Sequence, residues 1–267
     1  MTAPRIATLA LSALTLGMLQ TASAESPHSF SANIGAVSNY MWRGVSQTQD
    51  GPAVQGGLDY SHASGFYAGT WASNIDLNNE GASQEVIIPL DPATGLPATD
   101  ANGNWIGYTG GSSNPNSPTY ELDLYTGFGG KINDDLKWDL NAIYYAYPDG
   151  RDSNFAEIGG KLTYKWLTAG LAYTVYGEND EGLYDNGDLY YFGALDFSLP
   201  YEFAFNVHGG YYSFTNSNGD SYGNWGATVS RAIGDYGTVS FNYDQNGGND
   251  SVYETDPIFW AGWKKTF

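Results

Sequence analysis

Histidines, carboxylates and a few bases are the side chains here that could do chemistry, and their spacing decides which chemistry is open to them. The chain has 267 residues, with 3 histidines, no cysteine, and 29 acidic against 10 basic residues. His28 lies near the expected mature start, His62 in a short turn, and His208 inside an alternating segment, with Asn206 two residues before it on the same side. A Ser–His–acid relay needs a nucleophile within hydrogen-bond reach of the imidazole, and no serine motif accompanies His208. A solvated histidine on a polar face is therefore the preferred reading over an acid/base role, and no enzyme is expected. The run 100–104, Asp-Ala-Asn-Gly-Asn, mimics the start of a calcium loop, yet it lacks the glycine at the sixth place and the glutamate at the twelfth. It reads as turn chemistry, so neither a metal nor a cofactor is expected.

The remaining charged side chains recur at every second position of short segments. Eight carboxylates fall on such polar faces (Asp59, Glu121, Asp123, Asp139, Glu157, Asp188, Asp196 and Asp244), against three bases, Arg43, Lys137 and Lys161. The opposite faces are apolar, as in Leu136, Trp138, Leu140 and Tyr144, or Phe203, Phe205, Val207 and Tyr211. Period two with one wet and one apolar face is the pattern of a strand set between lipid and an aqueous lumen. Twelve candidate strands follow, at about 29–43, 53–61, 66–74, 119–129, 136–146, 155–165, 167–177, 188–198, 203–214, 223–232, 237–244 and 258–267. The third is ambiguous, because both of its faces carry aromatics.

Connection lengths alternate short and long along the chain, the longest being 75–118. Aromatics mark both ends of the strands. Phe30, Tyr60, Phe128, Trp138, Tyr164, Phe197, Phe203 and Phe267 sit at the short-turn ends, and Tyr40, Trp42, Tyr120, Tyr144, Tyr173, Tyr211, Trp225 and Tyr243 at the long-loop ends. A soluble β-sandwich also alternates, but it has no reason to place aromatics at both strand ends or to alternate its loop lengths. The expectation is an all-β, transmembrane antiparallel up-and-down β-barrel of about 12 strands, with short periplasmic turns and longer external loops.

The ends agree with export. Residues 1–24 carry one positive charge at Arg5, an apolar core and a terminal Ala-Ser-Ala, so a cleaved signal peptide is expected, leaving a barrel domain at 25–267. Later in the chain no run reaches the roughly 18 apolar residues of a helical span, which leaves a closed barrel as the way across a bilayer. Without cysteine, stability must come from pairing and burial rather than disulfides. The acidic excess opposes binding to nucleic acid. The expected partners are outer-membrane lipid and lipopolysaccharide, the barrel-assembly machinery (with Trp263 and Phe267 on the last strand as its signal), and small polar solutes or cations. The expected lumen lining is Arg43, Asp59, Glu121, Asp123, Lys137, Asp139, Glu157, Lys161, Asp196, His208 and Asp244, an acidic lumen that would favour cations. A lumen plugged by paired side chains is the alternative.

The stretch Ser38-Asn39-Tyr40-Met41-Trp42-Arg43-Gly44, with Gln47-Thr48, Pro52-Ala53-Val54-Gln55-Gly56, Gly69-Thr70-Trp71-Ala72-Ser73-Asn74 and then Tyr120-Glu121-Leu122-Asp123-Leu124-Tyr125-Thr126-Gly127, resembles the TorF porin family, also called Gcw_chp, a proteobacterial outer-membrane β-barrel family. The resemblance spans essentially the mature chain. It implies an outer-membrane barrel of porin type in a Gram-negative bacterium, and it brings no established substrate or catalytic residue. Residues 84–119 depart from the family's pattern as an insertion. The leading expectation is a passive channel for small polar solutes or cations. A non-conducting, adhesin-like or ligand-binding barrel working through its external loops stands second, and a lipid-modifying enzyme third.

Overall fold

β-Branched and aromatic residues alternate with small and polar ones along the chain, and this favours pleated segments whose two faces meet different surroundings. The computed structural model describes residues 26–77, 85–87, 108–110, 117–151, 153–178, 184–215 and 220–267. Its strands are β1 (His28–Val37), β2 (Met41–Trp42), β3 (Val45–Ser46), β4 (Ala53–His62), β5 (Phe66–Asn74), β6 (Glu85–Ile87), β7 (Tyr108–Gly110) and β8 (Tyr120–Lys131). They continue with β9 (Leu136–Ala146), β10 (Phe155–Tyr164), β11 (Leu167–Gly177), β12 (Leu189–Ser198), β13 (Phe203–Ser213), β14 (Tyr222–Ala232), β15 (Thr238–Asn246) and β16 (Ile258–Thr266).

All but β2, β3, β6 and β7 join one closed barrel in which each strand pairs antiparallel with the next. The ring shuts where β1 meets β16, in a register running from Asn33↔Thr266 to Val37↔Gly262. Closure leaves no edge strand, so ladder groups are satisfied on both sides without water. No helix among the described residues is long and apolar enough to cross a membrane, and a barrel crosses with strands.

The outward face carries exposed Phe30, Leu58, Leu124, Leu140, Leu162, Leu171, Phe241 and Phe259. So continuous an apolar exterior is unfavourable in water and suits hydrocarbon. Aromatics flank it at both strand ends as expected: Phe128, Tyr164, Phe197 and Phe267 on one side, Tyr120, Tyr173, Tyr211 and Trp225 on the other, all exposed. Some stack across neighbouring strands, as do Phe128 with Trp138 and Tyr191 with Tyr211.

One expectation is corrected. The first strand does not run from 29 to 43 but stops at Val37, and Tyr40 and Trp42, read from the sequence as outward girdle residues, are buried, at 5% and 6% exposure. The cause is local hydrogen bonding that competes with the ladder. The Asn39 amide accepts from Ser46 and donates to Asp50, and the Tyr40 backbone N–H donates to Thr48 Oγ1. Arg43 and Gly44 then take positive φ, 49° and 80°, which folds β2 onto β3 as Met41↔Ser46 and Trp42↔Val45. The period-two pattern runs on through residue 42, so the break is invisible to periodicity.

The ambiguous third strand also resolves. Tyr67 is buried while Phe66 is exposed, because the inner face of this strand has aromatic partners of its own. Within the 75–118 connection, β6 and β7 pair as a small hairpin, Glu85↔Gly110 to Ile87↔Tyr108. The calcium-like run 100–104 and the leader 1–24 lie outside the described residues.

Candidate functional site

The hairpin formed by β2 and β3 sits inside the barrel, as its contacts around the ring require. Tyr40 donates to Glu121 on β8 (2.9 Å) and packs edge-on against Trp71 on β5. Trp42 packs against Tyr145 on β9, Phe155 on β10 and Tyr212 on β13. A Cβ on Gly44 would stand 2.6 Å from that of Asn224 on β14, and Asn246 on β15 donates weakly to the Gly44 carbonyl. One short segment can meet the inner faces of so many strands only from the lumen.

At its tip Arg43 makes a bidentate pair with Glu157 on β10, at 2.8 and 2.6 Å. Its guanidinium lies over the rings of Trp42, Tyr190 and Tyr212, at 4.3, 4.3 and 4.9 Å from their centres. A planar, delocalised cation suits this combination of fork and stack better than lysine would. Tyr145 also donates to Glu157. A register shift between Ala156 and Glu157 sets this carboxylate opposite Thr174, a bulge of the kind that re-aims a side chain. Tyr184, Phe214 and Tyr222 complete the aromatic packing. The long-loop half of the lumen is thus filled by rings around one ion pair.

Towards the short turns the interior loosens and is only half buried at Asp59, Asp139, Lys161 and Asp196. Tyr125 donates to Asp59 across the strand between them, and a Cβ on the intervening Gly69 would collide with the Tyr125 ring. Tyr67 donates to both oxygens of Asp139 at 3.0 Å. His208 reaches over Gly226 in the same way, its Nε2 standing 3.1 Å from Asp244 Oδ1, and a Cβ on Gly226 would lie 2.5 Å from that nitrogen. Asn206 donates to Asp196 (2.8 Å), which fixes its amide so that Oδ1 faces His208 Nδ1 at 3.0 Å. Trp260 donates to the other Asp244 oxygen at 2.7 Å. Both ring nitrogens of His208 thus face oxygens, those of Asn206 and Asp244.

Of the residues named from sequence, Asp59, Glu121, Asp123, Lys137, Asp139, Glu157, Lys161, Asp196, His208 and Asp244 lie on strand faces turned to the interior, with Lys137 exposed near the short-turn rim. Arg43 is on the inserted hairpin rather than on the wall. The buried Asp188 belongs to a loop, where it accepts from Thr215 and the Asp185 backbone. Trp263 and Phe267 stand on the outer face of the last strand, Trp263 donating to the Tyr236 carbonyl. Sequence reasoning missed Lys264, which shares the face of Trp260 and is opposed by Asp59. Counting alternate residues back from the outward Phe267 would have found it. The charges then divide by level. The looser half holds Asp59, Asp139 and Asp196 beside three lysines (Lys137, Lys161 and Lys264), Asp244 is buried against His208, and Glu121, Asp123 and Glu157 share the packed half with Arg43.

A closed barrel with an apolar exterior and a charged, partly filled interior is a porin-like fold. Solved structures with this fold include the KdgM porin, 10% identical over 89% of this chain and 99% of that one, with a TM-score of 0.51. The KdgM porin in complex with disordered oligogalacturonate is 9% identical over the same shares, with a TM-score of 0.54. The NanC porin in a rhombohedral crystal form is 11% identical, covering 89% of this chain and 98% of that one, with a TM-score of 0.49. No curated protein matches the sequence. The chain belongs to the Gcw_chp family, described as bacterial proteins of unknown function, whose model matches residues 21–265.

Proposed function

We propose that this protein is an outer-membrane porin-like channel of the TorF type for passive diffusion of small polar solutes or cations, reaching a Gram-negative outer membrane after cleavage of residues 1–24. The observation that carries this reading is the pairing of a lipid-compatible exterior with a charged interior in which Glu121, Asp123 and Glu157 lie at the level packed by the hairpin. Solutes enter the looser, charge-balanced half and must pass the hairpin beside Glu121, Asp123 and Glu157. Carboxylates there attract cations and repel anions, and the lysines interleaved with Asp59, Asp139 and Asp196 around the wall give local fields that orient polar solutes. A KdgM porin structure holds oligogalacturonate, an acidic oligosaccharide; the acidic constriction here argues for the opposite charge preference. Lipid and lipopolysaccharide surround the barrel in this account, and the assembly machinery reads Trp263 and Phe267. Liposomes carrying the refolded protein should become permeable to small cations and sugars; unchanged permeability would sink the proposal.

One observation favours the second reading, a non-conducting barrel that binds through its external loops: the long-loop half of the lumen is packed. Deleting residues 84–119 separates the two. A loop-based binder loses its ligand, whereas a channel conducts as before or more.

A further inference from the structure

Glu121, Asp123 and Glu157 face the lumen at the level of the hairpin, and two of the three are fully engaged. Glu121 accepts from Tyr40 and Tyr147, one hydroxyl on each oxygen, and Glu157 holds Arg43. Asp123 differs. It is 3% exposed, and its Oδ1 accepts no hydrogen bond from the protein. The charges acting on it are Glu121 and Glu157, both of its own sign. Its cross-strand neighbours on the inward face are Trp71 on β5 and Tyr145 on β9.

A carboxylate removed from water needs a compensating charge. Here the protein leaves one buried oxygen without a donor and sets an aromatic residue on either side, so the uncompensated charge favours a cation. Among the described residues no three acidic or histidine side chains converge as metal ligands do. Calcium takes six to eight oxygens at close range, so this arrangement suits a singly charged ion rather than a divalent one.

We propose that Asp123 is a binding subsite for one monovalent cation, an alkali ion or a primary ammonium group, held at Oδ1 between Trp71 and Tyr145. This rests on the channel reading and gives it a substrate class, making Asp123 the selectivity-determining residue of the constriction.

The test titrates the refolded full chain in nanodiscs with potassium chloride and with methylammonium chloride at constant ionic strength, by calorimetry, beside reversal potentials in planar bilayers. The parent binds both ions in competition. Asp123→Asn weakens both by about tenfold or more, equivalent to 1.4 kcal/mol, and lowers cation preference, while Asp134→Asn in a short turn changes neither. If the parent conducts with cation preference but Asp123→Asn binds and selects as the parent does, the carboxyl carries a proton or a water and the subsite is refuted with the channel intact. If bilayers stay silent the channel reading falls, and the calorimetric comparison alone decides the subsite. Should Asp123→Asn not fold, Asp123→Glu moves the charge by one methylene and should change the potassium-to-methylammonium affinity ratio; an unchanged ratio overturns the inference.

Discussion

Removing the Arg43 guanidinium should release the hairpin from the lumen while leaving the barrel standing. Arg43 and Glu157 are buried together and joined by two short charge-assisted bonds. Truncating one partner of a buried pair costs about 3–5 kcal/mol, since the other charge is left uncompensated. Loss of the stacking on Trp42, Tyr190 and Tyr212 adds about 0.5–2 kcal/mol per contact, while Tyr145 and Tyr212 still donate to Glu157 and offset part of this. A net penalty of about 3 kcal/mol on docking corresponds to a rise of roughly a hundredfold in opening. No barrel ladder bond involves residue 43, so the penalty falls on the hairpin. In Arg43→Ala, amide exchange at Tyr40 and Gln47, whose N–H groups bond within the hairpin, should speed up by that factor, and single-channel conductance should rise. Adding Glu157→Gln removes the stranded charge and should recover at least about 1 kcal/mol, a coupling that a double-mutant cycle reads directly. Unchanged exchange and unchanged conductance in Arg43→Ala would refute the plug as the constriction.

Gly44→Ala should undock the hairpin by another route: a residue with a Cβ at φ 80° costs about 1–2 kcal/mol, and that Cβ would strike Asn224, so conductance should shift in the same direction as for Arg43→Ala. Leu58→Arg tests the lipid face. Leu58 is 61% exposed in mid-strand, and the change should cost about 2–4 kcal/mol in refolding into bilayers; a cost near zero would contradict a membrane-facing exterior. Asp149 lies in the loop after β9, where burial pushes its carboxyl up but the Thr119 hydroxyl and amide that donate to it outweigh this and hold it below the usual aspartate value. A depressed folded value means that the contact is at full strength above about pH 3.9 and is lost as pH falls through the folded value. The Thr119 amide resonance should therefore titrate with a midpoint below about 3.9, and Asp149→Asn should abolish that titration.

The barrel was legible because it rests on period two, which survives in each strand from Phe30 to Phe267. The inner face was legible as a set of charged residues but not as a set of contacts. Residues such as His208 and Asp244 sit on strands that are not adjacent, and they meet only because Gly226 on the strand between them has no side chain in the way. Tyr125, Gly69 and Asp59 repeat the device. A glycine opposite two long inward residues is a signal that pairing register, not sequence alone, makes readable. The hairpin was misread for the opposite reason. Tyr40 and Trp42 keep strand periodicity, and what turns them inward is the side-chain bonding of Asn39 together with the hold on Arg43 by Glu157, Tyr190 and Tyr212, all more than a hundred positions away.

The most direct test of the central claim is single-channel recording of the purified, refolded chain in a planar bilayer under a salt gradient. The account predicts discrete steps of small conductance with cation preference, enlarged in Arg43→Ala. Silence in both proteins, or a preference for anions, would contradict it.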